Sequence, residues 1–274
     1  MGKLLKTIAV SHLPEVFAFV ENPQSQPHWP QMRNFLRGLL ELGKSIRELS
    51  PDVILMSFDE HYVAHTPDFL VVNGAKHRAT LEQYGIEYEA EYPGHPEMAM
   101  EIFRKAQGAG LPMRMQEAPD YDLFDFALLI PLLFMRLGKE IPVVPILTHY
   151  VPEITLEGCV AMGRVIREVV ESRRENAVLI VDGGLSHYIC YPDKWDRLDD
   201  AFDRNMLKLL TEGKGLELVR YDHDALEEAG NEEIRQWLIG VGAVDRGTKA
   251  RVLAYEPADY FGLAVGAAVV DLQP

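Results

Sequence analysis

With 274 residues the chain is too long for a small stapled module and long enough to bury a full core, as one large α/β domain or two modest ones. Its 27 Lys and Arg against 42 Asp and Glu leave a formal charge of −15. Such a surface repels phosphate backbones and anionic lipid heads, so neither nucleic acid nor a membrane is an expected partner. An apolar fraction of 47% beside 25% charged residues excludes wholesale disorder.

The two cysteines, Cys159 and Cys190, make neither a CxxC pair nor a framework, which fits reduced thiols in a cytoplasmic protein. The basic start Met1–Lys6 is followed by His12 and Pro14 before an apolar stretch could serve as a signal region. Gly2 would suit a myristoyl site, but Lys6 stands where Ser or Thr is wanted. The longest apolar run, Phe126–Met135, is about half a membrane span. A soluble protein is expected. With no repeat, low-complexity tract or long linker, residues 1–274 read as a single domain.

In chain order, Thr7–Val10 is a short strand ending at Ser11-His12. From Pro30, apolar residues recur at Met32, Phe35, Leu36, Leu39, Leu42, Ile46 and Leu49, one stripe of a helix that Ser50-Pro51 stops. Asp52–Ser57 is a second buried strand. Ile141–Leu147 reads as a strand whose prolines place it near an edge or a bulge. Met162, Val165, Ile166 and Val169 form another helical stripe, and Ala177–Val181 is the clearest buried strand. A helix follows over about Trp195–Leu210, and Ala250–Tyr255 is a late strand. Strand and helix in alternation imply an α/β fold, a mainly parallel or mixed central sheet with helices on both faces. Its active site is expected at the carboxyl ends of the strands.

Three strands run into a histidine: the first reaches His12, the second His61 and the third His187. In a parallel sheet these imidazoles converge on one edge, as metal ligands or as groups that move protons near neutral pH. His65 and His149 lie close enough to strand ends to reach the same pocket. A divalent metal held by two histidines wants a carboxylate, and Gly230-Asn231-Glu232-Glu233 supplies one. Asn231 reads as a helix N-cap with both glutamates in the first turn, where acidic residues also simply complement the helix dipole. Spacing chooses neither between the two glutamates nor between metal and no metal. Ser186 beside His187 is not a nucleophile elbow, because Gly-x-Ser-x-Gly fails at Tyr188. Gly183-Gly184 reads as a tight turn that aims His187 into the pocket.

Ser11-His12-x-Pro14, Asp59-Glu60-His61, Gly183-Gly-Leu-Ser-His187, Phe202-Asp-Arg204 and Asn231-x-Glu233-Ile-Arg235-x-Trp237 occur in an order that resembles the class III extradiol ring-cleavage dioxygenases, in particular the catalytic β subunit of protocatechuate 4,5-dioxygenase. The resemblance covers nearly the whole chain in short segments, of which Gly-Gly-Leu-Ser-His and Ser-His-x-Pro are the more specific. It implies that His12, His61 and Glu233 hold Fe(II), leaving positions for a bidentate aromatic substrate and O2, and that His187 is the acid–base residue. A catechol or aminophenol must lose a proton to chelate iron, and a proton must be returned when the O–O bond breaks; one imidazole can do both.

The chain departs from that family at one point. Many members carry a pocket histidine in Asp-His-x-x-x-x-Pro-Leu, whereas here the stretch is Asp125-Phe126-Ala-Leu-Leu-Ile-Pro131-Leu132. Phe126 cannot donate a hydrogen bond, so His149 or His65 stands in, the substrate differs, or activity is weakened. Tyr62, Tyr150 and Tyr188 adjoin site histidines and are candidate pocket or core residues. A non-catalytic relative, acting as a partner subunit or binding protein, and a zinc hydrolase with the same ligands are the competing readings. The family resemblance also implies a homo-oligomer or a complex with a small helical subunit.

Overall fold

The computed structural model describes every residue except 22–26, 60, 62–65, 118–122, 189–190, 261 and 274. The candidate residues Tyr62 and His65, together with Glu60 and Cys190, lie outside the described residues. The chain runs β1 (Leu4–Val10), α1 (Val16–Glu21), α2 (Trp29–Leu49), β2 (Val53–Phe58), β3 (Phe69–Asn73), β4 (Lys76–Thr80), β5 (Glu89–Pro93) and α3 (Pro96–Gly108). Next come β6 (Met113–Glu117), β7 (Leu123–Phe124), α4 (Phe126–Phe134), β8 (Val143–Leu147), α5 (Leu156–Ser172) and β9 (Ala177–Asp182). It ends with α6 (Asp200–Thr211), α7 (His223–Ala229), α8 (Ile234–Ala243), β10 (Arg251–Tyr260) and β11 (Leu263–Asp271).

Eight strands form one mixed sheet in the order β10-β11-β1-β9-β2-β8-β3-β6. Its middle, β1-β9-β2-β8, is parallel throughout. The pleat sends alternate side chains to opposite faces. Ile8, Val10, Ile54, Met56, Val178 and Ile180 pack on the side of α2 and α4. Ala9, Val53, Leu55, Leu179 and Val181 pack against α3, α5 and α8. Helices therefore cover both faces, as the alternation of strand and helix implies. On α2, Met32, Phe35, Leu39, Leu42 and Ile46 are wholly buried, each worth roughly 1.5–3 kcal/mol of transfer free energy. Leu49 is exposed, and Ser50 ends the helix in a left-handed conformation at φ 48°.

The apolar run from Phe126 is a buried core helix, capped by Asp125, whose carboxylate accepts the Ala127 N–H. Among the described residues no helix is long and apolar enough to cross a membrane. Cys159 is buried and free.

Four expectations are corrected. β8 lies in the sheet interior, not at an edge: Pro145 pairs with Met56 of β2, and the antiparallel ladder to β3 ends at Ile146, just before the proline that could not extend it. The helix expected from Trp195 starts at Asp200, because Asp199 caps it by accepting the Phe202 N–H. The late strand reaches Tyr260, which its position at the sheet edge permits despite Pro257, and it turns into an unforeseen partner, β11. Asn231 is not the cap of α8; its side chain donates to Asp203 instead, and Glu233 occupies the capping position.

A second, small sheet of order β5-β4-β7 buries His77. That residue is 1% exposed, sits edge-on to Phe124, and has no partner for either ring nitrogen among the described residues. Burial pushes its pKa down to about 4, so the unfolded chain takes up a proton first as pH falls below about 6.5. Stability carried by neutral His77 is thus complete above that pH and is lost as pH approaches 4. The native protein is expected to lose about 2 kcal/mol more than His77→Leu between pH 7 and pH 5, read from urea unfolding midpoints at the two pH values.

Candidate functional site

Because β1, β9, β2 and β8 run parallel, their carboxyl ends share one edge of the sheet. The chain leaves that edge at His12, at His61, at His149 and at Gly183–His187. His12 and His61 meet with ring centroids 5.0 Å apart. Each imidazole is oriented by a buried carboxylate through Nδ1: His12 donates to Asp182 Oδ2 at 2.8 Å and His61 to Asp125 Oδ2 at 2.9 Å. The His61 amide donates to the same Asp125 oxygen at 3.0 Å. Nδ1 is thereby engaged in both rings, and Nε2 is the nitrogen left to bind a metal, giving up its proton where it carries one.

Glu233 completes the group. One ligand atom from each of His12, His61 and Glu233 falls within 4.8 Å of the others, and His12 Nε2 lies 3.9 Å from Glu233 Oε1. The other carboxylate oxygen, Oε2, accepts the Gly184 N–H in a short hydrogen bond. Gly183 and Gly184 are required by this close approach, not by a turn of unusual φ. A Cβ on Gly183 would sit 2.9 Å from Glu233 Cβ, and one on Gly184 3.2 Å from His187. The start of α8 is stapled to the end of β9 by the Trp237 indole N–H, which donates to the Gly183 carbonyl at 3.0 Å. Arg235 donates through Nε to the Ile154 carbonyl. A buried hub adds a third tie: Asp203 accepts from the Ser186 N–H and hydroxyl, from Asn231 and from the Tyr255 hydroxyl.

The electrostatics favour a cation. Burial opposes a charge on His12, but the carboxylates of Asp182 and Glu233 outweigh it and hold the imidazole up at about 10. Burial, aided by Glu233, pushes Asp182 up to about 6. Asp125 is also buried, yet its hydrogen bonds from His61 and Ala127 keep its carboxyl below the usual range. Two imidazoles surrounded by three carboxylates form a nest of excess negative charge. Two nitrogen donors and one oxygen donor fit an open 2-His-1-carboxylate face for Fe(II), and equally the donor set of catalytic zinc.

His187 stands beside this group, its Nε2 3.9 Å from Glu233 Oε1. Its Nδ1–H donates to the Leu185 carbonyl at 2.7 Å, so Nε2 is free to take a proton. All four side chains line a cavity of about 150 Å³, the size of a hole that accepts one benzene ring. One wall is aromatic: Phe126 stacks on His61 at 4.6 Å, and Tyr84, 41% exposed, meets Phe126 edge-on at 5.0 Å. Leu263 and Val265 of β11 also line the cavity, as does Glu15.

His12, His61, Glu233, His187 and Phe126 are thus brought together. His149 is not with them: it is 1% exposed and its Nδ1–H is spent on Asp59 at 2.7 Å. Tyr188 lines an adjoining depression with Tyr150, one whose wall also includes His187 and Glu233, and its hydroxyl donates to the Glu228 carbonyl. Sequence reasoning missed Asp182 as the orienter of His12, although it immediately precedes Gly183 at a strand end. It also missed Glu15, Tyr84 and the β11 wall, for which spacing carried no signal.

A family model described as the catalytic LigB subunit of aromatic ring-opening dioxygenase matches residues 6–266. No curated protein matches the chain. Among solved structures, the crystal structure of the uncharacterized protein JW3007 from Escherichia coli K12 is similar, with a TM-score of 0.62 and 16% identity over 97% of this chain and 98% of that one. That likeness is one of fold.

Proposed function

The chain belongs to the family of catalytic LigB subunits of aromatic ring-opening dioxygenases, and from that premise we propose an extradiol dioxygenase acting on a small catechol or aminophenol with O2. Residues 1–274 act as one catalytic domain. The observation that carries the reading is the meeting of His12, His61 and Glu233 at a ring-sized cavity with His187 on its wall. Fe(II) bound to the three side chains would supply the redox chemistry that lets an aromatic ring react with dioxygen. The protein's residues supply the rest. Asp182 and Asp125 fix the histidine tautomers, Phe126 and Leu263 exclude water around a flat ring, and His187 Nε2 takes the hydroxyl proton and later returns it.

Removing an orienting carboxylate should be felt at the metal. Asp182→Asn is expected to weaken iron binding by about 10–100-fold, measured by competition with a chelator under nitrogen, while Asp52→Asn on the far side of the sheet serves as the silent control.

The direct test is anaerobic loading with iron, followed by a panel of catechols and aminophenols. Oxygen uptake with a coloured ring-fission product is the expected result. No uptake and poor iron binding would favour a non-catalytic binding protein, and ester or amide hydrolysis by the zinc form would favour the hydrolase. The same reading carries a cytoplasmic location and assembly as a homo-oligomer or with a small helical subunit, which light scattering and co-purification address.

A further inference from the structure

The cavity beside the three donors has an unusual balance of charge. Among the described residues its wall carries two carboxylates, Glu233 and Glu15, and neither Lys nor Arg. The residues outside the described set contain no Lys or Arg either. A carboxylate on the substrate ring would therefore meet two carboxylates and no Lys or Arg side chain to receive it, and like charges in a partly desolvated site repel strongly.

Glu15 is the second observation. It lies in the turn between β1 and α1, three residues beyond His12, and contributes to the cavity wall. Glu233 has its Oε2 engaged by the Gly184 amide. Glu15 Oε2, in contrast, is buried and has no hydrogen-bond partner among the described residues. Burial pushes the Glu15 carboxyl above its ordinary pKa, with its own amide and His12 pulling the other way. An orphaned buried carboxyl oxygen costs free energy until a donor reaches it. The group that satisfies it best is a short arm ending in an ammonium, which brings both the donor and the charge.

We propose that Glu15 is the specificity-determining residue of this cavity, selecting aromatic substrates whose ring carries a protonated amine and turning away carboxylated catechols. The proposal rests on the dioxygenase reading for the ring hydroxyls. It is independent of that reading for the side arm. The overall charge of −15 acts in the same direction at longer range, drawing cationic rings toward the protein.

Three catechols that share a one-methylene arm and differ in its terminal group compare the charges: 3,4-dihydroxybenzylamine, 4-ethylcatechol and 3,4-dihydroxyphenylacetate. Their binding to the iron-loaded protein is measured by calorimetry under nitrogen, and oxygen uptake is recorded in parallel. The amine is expected to bind at least about tenfold more tightly than the acid, the scale of one charge-assisted hydrogen bond, with the ethyl compound between them. Glu15→Gln, checked for native iron content and circular dichroism, should bring the amine and the acid to within about threefold of each other. Glu15→Leu guards against a glutamine that finds its own donor, and should do the same. Equal affinities, or preference for the acid, in the native protein would overturn the proposal, as would an amine preference that survives both substitutions. Charge-ordered binding without oxygen uptake keeps the role of Glu15 and rejects ring cleavage. Uptake without charge order does the reverse, and failure of all three compounds to bind rejects both.

Discussion

Replacing His187 with Phe is expected to leave iron stoichiometry unchanged while turnover falls by roughly 10²–10⁴-fold, the contribution of one positioned proton-transfer group. The geometry separates the two roles. His187 Nδ1 is occupied by the Leu185 carbonyl, and its Nε2 faces the cavity beside Glu233 outside the group of three donors. His12→Ala should give the opposite result, with iron close to absent. It removes a donor and strands Asp182, a wholly buried carboxylate whose hydrogen bond is to that imidazole. Iron content per chain and single-turnover rates under air, measured on both variants, check the pair. Loss of iron from His187→Phe would mean that the residue is a ligand and that the division of labour is wrong.

The second large effect is expected far from the metal donors in sequence. Asp203→Ala should destabilise the fold by about 3–5 kcal/mol, because four donors lose their acceptor in a buried network. Ser186, Asn231 and Tyr255 all converge on that carboxylate, which joins the loop after β9, the turn before α8 and the edge hairpin. Asp203→Asn keeps the volume and one acceptor oxygen, and should cost clearly less. Chemical denaturation of both variants measures the gap. An alanine variant as stable as the native protein would show that the hub is dispensable.

Parts of this architecture are legible in the sequence and parts are not, for physical reasons. The stripe of α2 and the run of β9 stand out because burial on one face or both imposes a period on residue choice. His12, His61 and His187 are legible for a related reason: each follows a strand whose direction fixes the edge where it emerges. Glu233 is found only through its motif, since a glutamate in a first helical turn has an ordinary alternative role. His149 misleads because a strand-end position says where a side chain begins but not where it points; Asp59 turns it inward. The β10–β11 hairpin is hard to read since β10 is half-exposed and carries Pro257, a residue tolerated where, among the described residues, no strand pairs with the outer edge. The carboxylate partners of His12 and His61 lie 170 and 64 residues away along the chain, beyond the reach of any local pattern.

That hairpin has a consequence for how such a protein can change. The residues proposed as donors and proton carrier follow the parallel strands or cap α8, whereas Leu263 and Val265 belong to β11, joined to this frame by its antiparallel pairing with β1. Part of the cavity wall thus lies on a piece of chain that holds none of His12, His61, His187 and Glu233, whereas Glu15 shares its turn with His12. Mutations along the hairpin can reshape what the cavity admits while leaving the coordinating side chains undisturbed, so new preferences are reachable by single steps that never pass through an inert enzyme.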